Sequence, residues 1–254
     1  ERRVRVQGEE HPATVGSRSV LASLYGEMGR VEESRRLHRQ CLDARRRGLG
    51  PDHPATLQSL QNLAIVTRLD GDLQEAERLQ RQVVTLRLER MGADHPETLR
   101  AKRRLAELVG ESGDRRGEAI ALYREILETF ERTDSPALSD RIEPGRDRGD
   151  LLLEADRTRE AELLLAEAVA RVRESLPDES LLLGTTLTVY GRCLFLNGRV
   201  DEAEALLLEG HEILAQSGLA DSEAGRRAAT LLADLYAESG RSADAEAWRQ
   251  RSVG

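Results

Sequence analysis

One phrase, seen as "GEEHPATVGSRSVLA" at 8–22, "LGPDHPATLQSLQNLA" at 49–64 and "MGADHPETLRAKRRLA" at 91–106, sets a ruler for the whole chain. His11, His53 and His95 fall at steps of 42 residues, each followed by Pro and then by Thr14, Thr56 or Thr98. Self-similarity at a period of roughly 20–50 residues means stacked supersecondary units, none of which buries its apolar face alone. Two further markers extend the ruler. Small residues recur at Ser34, Ala76, Ala119, Ala161, Ala203 and Ala245, at steps of 42, 43, 42, 42 and 42. A turn residue precedes each of them: Gly29, Gly71, Gly113, Asp156, Gly198 and Gly240. Another tiny residue lies twelve positions before the small one, thirteen in the third unit: Ala22, Ala64, Ala106, Gly149, Gly191 and Ala233. Three markers agree on six units, at approximately 11–52, 53–94, 95–134, 135–177, 178–219 and 220–252.

Each unit reads as two helices. Leu57, Leu60, Leu63 and Ala64 follow helical spacing, Gly71 permits the left-handed turn that ends the helix, and Leu73, Ala76, Leu79, Val83 and Leu86 form a second apolar stripe. Ala64 and Ala76 then mark the place where two backbones approach too closely for a larger side chain. The fourth unit, "SPALSDRIEPGRDRGDLLLEAD" at 135–156, lacks the His-Pro phrase. Pro144 and Gly145 are expected to shorten or kink its first helix, giving an irregular unit or a hinge near 133–147.

Composition agrees with helix and narrows the function. Aromatics are 3% of 254 residues, charged residues 33%, and the formal net charge is −8. General attraction to nucleic acid is not expected of such a chain, and no apolar run approaches the 18 or so residues that would span a membrane. Two cysteines, Cys41 and Cys193, make no framework and fit a reducing, cytoplasmic setting. Both read as small buried apolar residues. The three phrase histidines open three successive first helices. Stacked helices lie about 10 Å apart, whereas nitrogens sharing a zinc lie about 2 Å from it, so the histidines read as caps and not as a metal site. Pro54 suits the first helical turn, and Asp52 or His53 can cap it. No P-loop, GxSxG or GxGxxG occurs. No cofactor, metal or catalytic residue is expected.

The skeleton Asn62-Leu63-Ala64, Gly71, Glu75-Ala76-Glu77 resembles the tetratricopeptide repeat. The usual repeat has about 34 residues. The 42-residue period with its "LGPDHPAT" linker is similar to the longer variant of kinesin light chain and its bacterial relatives. The resemblance covers 11–252 and implies an all-α, right-handed solenoid of about six antiparallel helix pairs. It implies a non-catalytic interaction module whose first helices line a concave face for a short extended peptide, acidic or ending in a free carboxylate. Carried over by register, that face holds Gln58, Gln61, Asn62 and Arg68 in the second unit and Arg100 and Arg103 in the third. Arg146 follows in the fourth, and Thr188 and Arg192 in the fifth. Arginine forks favour carboxylates, yet the same arginines could pair internally with Glu107 and Asp150, and the sequence leaves both readings open. A self-associating scaffold without a peptide ligand is the alternative. Similar arrays accompany kinases, STAND-type ATPases or helix-turn-helix regulators, so an effector domain is expected upstream of Glu1.

Overall fold

The computed structural model describes residues 8–133, 138–177 and 180–253, and among them are twelve α-helices and no strand. They are α1 (Pro12–Glu27), α2 (Val31–Leu49), α3 (Pro54–Leu69), α4 (Leu73–Met91), α5 (Pro96–Glu111), α6 (Arg116–Thr133), α7 (Leu138–Glu154), α8 (Thr158–Ser175), α9 (Leu181–Leu196), α10 (Val200–Gln216), α11 (Glu223–Glu238) and α12 (Ser242–Val253). The chain divides into two compact units, 1–122 and 123–254, with the boundary inside α6. In the first, each helix from α1 to α5 packs on the next in sequence. The second does the same from α7 to α12, and α7 also touches α9, and α9 touches α11. The fold is thus an all-α repeat array of helix pairs.

The turn residues behave as the period requires. All six carry a positive φ, from 56° at Asp156 to 83° at Gly71. The following N–H often closes a six-residue loop onto the helix just ended, as from Arg30 to Tyr25 O (2.8 Å), Arg199 to Leu194 O (2.9 Å) and Arg241 to Tyr236 O (2.8 Å). This is the Schellman arrangement, which satisfies carbonyls that the helix end would otherwise orphan. Asp156, the one non-glycine, carries a side chain tolerated in this conformation.

Close approach within a pair is settled by size. A methyl group on Gly149 would lie 2.6 Å from Leu165 Cδ2, and one on Gly191 would lie 2.7 Å from Leu207 Cγ. By sequence register Ala22 pairs with His38 and Ala64 with Gln80, and all four of these side chains are buried. A branched leucine therefore stands where the facing residue is glycine, and an unbranched or ring side chain where it is alanine.

The expected shortening of the fourth unit's first helix does not occur. Helix α7 runs uninterrupted for 17 residues with Pro144 inside it and is not shortened. One proline removes one backbone hydrogen bond, and α7 offsets this by burying Ile142, Leu152 and Leu153. Of the stretch expected to be irregular, residues 134–137 lie outside the described residues.

Arginine joins successive repeats. Arg45 of α2 donates to Ala55 O (3.1 Å) and Ser59 Oγ (2.7 Å) on α3, and the equivalent Arg87 of α4 donates to Glu97 O (2.9 Å) on α5. Arg87 is only 5% exposed. Burial lowers its pKa and Glu97 opposes that, but a guanidinium keeps its proton regardless. No helix of the described residues is long and apolar enough to cross a membrane.

Gly191→Ala should destabilise the protein by about 1–3 kcal/mol through overpacking on Leu207. The double variant Gly191→Ala, Leu207→Gln, which copies the Ala64 and Gln80 pair, should recover part of that loss. Urea midpoints of the three proteins check this.

Candidate functional site

The phrase histidines are helix caps. The Nδ1 atoms of His11, His53 and His95 accept hydrogen bonds from Ala13 N (3.2 Å), Ala55 N (3.1 Å) and Glu97 N (3.1 Å), each with Pro as the first helical residue. Asp52 does not cap α3; its carbonyl accepts from Arg90 Nη1 at 2.7 Å. Both cysteines are buried. Their thiols point at Val15 O and Thr158 O, and burial pushes the Cys41 thiol up and the Cys193 thiol up to about 11. They are packing groups held in the un-ionised, poorly nucleophilic form. His38 is buried, and its Nδ1 finds no hydrogen-bond partner. His211 packs edge-on to Trp248 with centroids 4.8 Å apart.

In the first compact unit, the residues expected on the first-helix face are mostly engaged. Gln58 donates to Asn62 Oδ1 (2.8 Å) on the surface of α3. Arg68 pairs with Glu111 of α5 through its Nε at 3.2 Å. Arg100 bonds Glu97 (2.5 Å), and Arg103 lies 3.1 Å from Glu107. Gln61 sits elsewhere: it is 2% exposed and donates to Gln80 Oε1 (2.7 Å), which in turn reaches Ala101 O (2.8 Å). It belongs to the buried packing between helices, because its place one turn before Ala64 faces α4.

The second compact unit carries the better-defined site. Helices α7, α9 and α11 present one face, and a cavity of about 330 Å³ opens there, lined by Arg146, Asp147, Asp150, Thr185, Val189 and Arg227 among others. Asp150 Oδ1 is the hub. It accepts from Arg192 Nη1 at 2.7 Å and from Arg227 Nη2 at 2.5 Å, so two successive first helices converge on one carboxylate of a third. Arg146 bonds Asp147 Oδ1 (2.7 Å) and Thr185 Oγ1 (3.0 Å). Thr188 is buried, and its hydroxyl donates back to Gly184 O (2.9 Å). Burial works against the charge on Arg227, but the hydrogen bond and field of Asp150 outweigh it and hold the pKa above the ordinary value. The internal pairing left open by the sequence is the geometry adopted, through Arg103 with Glu107 and Arg192 with Asp150.

A second arginine pattern was not anticipated from the sequence. Arg115 bonds Glu118 on its own helix and Glu77 on α4; Arg199 bonds Glu202 and, at 2.6 Å, Glu162 on α8; Arg241 bonds Asp244 and Glu204 on α10. Each arginine follows shortly after a turn glycine, and that recurrence is visible in the sequence. Exposed pairs of this kind are screened by solvent and add little to stability, so they set alignment.

Six helical hairpins on a 42-residue period, closed by left-handed turns and packed through tiny residues, define an α-helical repeat protein. A family model described as the tetratricopeptide repeat matches residues 16–89 and 182–253, more than half of the chain, and the chain belongs to that family. A crystal structure of nearly identical TPR-like repeats assigned to kinesin light chain from Podosopora anserina is 26% identical, aligned over 82% of this chain and 98% of that one, with a TM-score of 0.69. BtubC (BKLC) from P. vanneervenii, at 22% identity, covers 85% of this chain and 87% of its own with a TM-score of 0.69 and shows the same fold. So does a STAND protein with a tetratricopeptide repeat sensor from Pyrococcus horikoshii, 12% identical, over 94% of this chain and 36% of that one with a TM-score of 0.70. Curated protein sequences gave no match. The repeats are similar in fold to those of the kinesin-light-chain structure.

His53→Ala should cost about 1 kcal/mol by removing a cap, whereas His53→Asn, which also accepts from the first turn, should stay within a few tenths. Chemical denaturation checks both. His38 gives a pH dependence. Burial, with a smaller contribution from Arg45, lowers its pKa in the folded state. An unfolded histidine takes a proton near pH 6.5 or so, where the folded one does not. Stability should therefore fall as pH drops through about 6.5, and continue falling until the lowered folded value is reached. His38→Gln, which installs the residue found at position 80, should flatten the urea midpoint between about pH 7 and 5.5 relative to wild type.

Proposed function

We propose that this chain is a non-catalytic interaction module that binds an extended peptide on the first-helix face of its second compact unit. A carboxylate of the peptide, from an acidic side chain or a free C-terminus, is taken by Arg192 and Arg227. The observation that carries this reading is the convergence of both guanidinium groups on one oxygen of Asp150. Two forks from neighbouring helices already hold a carboxylate there, and a ligand carboxylate can replace or join it. Arg146 and Thr185 lie beside this point for further polar contacts. In the first compact unit, Gln58, Asn62, Arg68, Arg100 and Arg103 offer similar groups for a peptide backbone or acidic side chain. The histidine caps and un-ionised buried thiols support a non-catalytic role, and two buried free cysteines fit a reducing, cytoplasmic setting. We place the module within a larger regulatory protein, as in the STAND relative of which the matched array is 36%.

Asp150 is the intrinsic competitor, which makes the reading testable. Asp150→Asn should tighten an acidic extended peptide by about tenfold, Arg192→Glu should abolish binding, and wild-type affinity should fall as salt rises. Fluorescence anisotropy with peptides selected on an array measures all three. If Asp150→Asn instead lowers the melting temperature and neither protein binds any acidic peptide, the arginines serve only the fold. Self-association is the second reading, favoured by the exposed apolar side chains Val20, Leu24 and Met28 on α1. Concentration-dependent sedimentation would support it.

A further inference from the structure

The fourth repeat differs from the others on the opposite side of α7. Aligned on its tiny residue Gly149, Arg148 occupies the position held by Leu63, Leu105 and Leu232 in other repeats, where leucine is at most 4% exposed. Gly145 occupies the position of Leu60 and Leu187, which are likewise core residues. Where the second repeat has leucine at both positions the fourth has a glycine and an arginine, while the Gly145 position is Arg18, Lys102 and Ala229 in three other repeats. A cavity of about 340 Å³ lies there between α6, α7 and α8. A methyl group on Gly145 would meet only Leu164 Cδ1, at 4.0 Å.

The cavity has a polar wall and an apolar floor. Arg124 of α6 and Arg148 of α7 line it, as do Phe130, Ile142 and Leu164. No hydrogen bond or ion pair among the described residues engages Arg124 or Arg148, and Arg148 Nε is buried without a partner. Arg171 at the rim is already bound to Glu167, and Arg141 donates to Phe130 O at 2.8 Å. Glu128 and Glu131 also line the cavity, and the fields of Glu160 and, less strongly, Glu128 reach Arg148 without a hydrogen bond forming. Burial disfavours the charge on Arg148, and the neighbouring Arg124 adds to that. A half-buried guanidinium whose Nε is buried without a hydrogen bond, at a site where other repeats place leucine, destabilises a fold unless something answers its charge. The volume lies in the range of small-molecule sites, about 300–1,000 Å³.

We propose that this cavity binds a small organic anion, a carboxylate or phosphate carried on an apolar body. Arg124 and Arg148 take the anionic oxygens, and the body lies on Phe130, Ile142 and Leu164. This site is separate from the Asp150 face and does not depend on it.

Isothermal titration calorimetry on the whole chain tests it with four probes: 3-phenylpropanoate, phenyl phosphate, benzyl alcohol and inorganic phosphate. One or both aromatic anions should bind with unit stoichiometry, and the alcohol should not. Comparing the two anions assigns the head group. Arg148→Leu restores the residue used in other repeats, so it should raise the melting temperature while weakening the anion by at least about tenfold. Gly145→Leu should do the same by filling the space. No heat with either anion, or unchanged affinity in both variants, would overturn the proposal. Equal binding of inorganic phosphate would remove the apolar body from it. Loss of binding in Arg227→Ala but not in Arg148→Leu would put the anion on the other side of α7 and also overturn it.

Discussion

Everything in this array depends on how closely two helices of a hairpin can approach. The contact is made by a tiny residue on the first helix and a larger one on the second, and van der Waals repulsion at about 3 Å decides which pairs are allowed. Gly149 and Gly191 leave room for Leu165 and Leu207 with nothing to spare. By the same register Ala22 and Ala64 pair with His38 and Gln80. Once that contact is fixed, the turn needs a left-handed residue to bring the second helix back, and the first helix needs a cap that does not occupy the contact. The φ values of the six turns and the histidine caps are both consequences of this one spacing.

Charge is arranged to a different rule. The chain is acidic in sum, yet its arginines are distributed as connectors: to backbone carbonyls at the start of the next first helix, to acids on the preceding second helix, and to Asp150 on the first-helix face. Arginine suits all three tasks because its planar fork reaches two acceptors at once. A lysine could make one such contact but not bridge two elements, and Lys102 is the chain's single lysine. Arg148 and Arg124 stand apart because no acid or carbonyl among the described residues hydrogen-bonds to them; Glu160 and Glu128 act on Arg148 only through their fields.

Much of this was legible in the sequence. The period, the six turn positions, the tiny residues and the role of the histidines all follow from local pattern, since each is set by a few adjacent residues. What was hidden involves distance or competition. Arg192 and Arg227 meet Asp150 across 42 and 77 residues, and no periodicity says that both will choose the same oxygen. Gln61 was misread as facing outward because a register change of one residue turns a helix by about 100°. Pro144 looked like a helix breaker because the pattern of Ile142, Leu152 and Leu153 that carries α7 through it spans more residues than the local signal.

The exchange between glycine with leucine and alanine with glutamine or histidine bears on how such arrays can be rearranged. The matched partners lie on either side of the turn and inside one hairpin. A crossover in the linker before a first helix moves both partners together and leaves the contact intact. A crossover at the turn joins an alanine helix to a leucine helix, or a glycine helix to a glutamine one, producing a clash in one product and a void in the other. The hairpin is therefore the expected unit of shuffling in this chain, with breaks in the linkers before first helices keeping each matched pair together and breaks at the turns separating it.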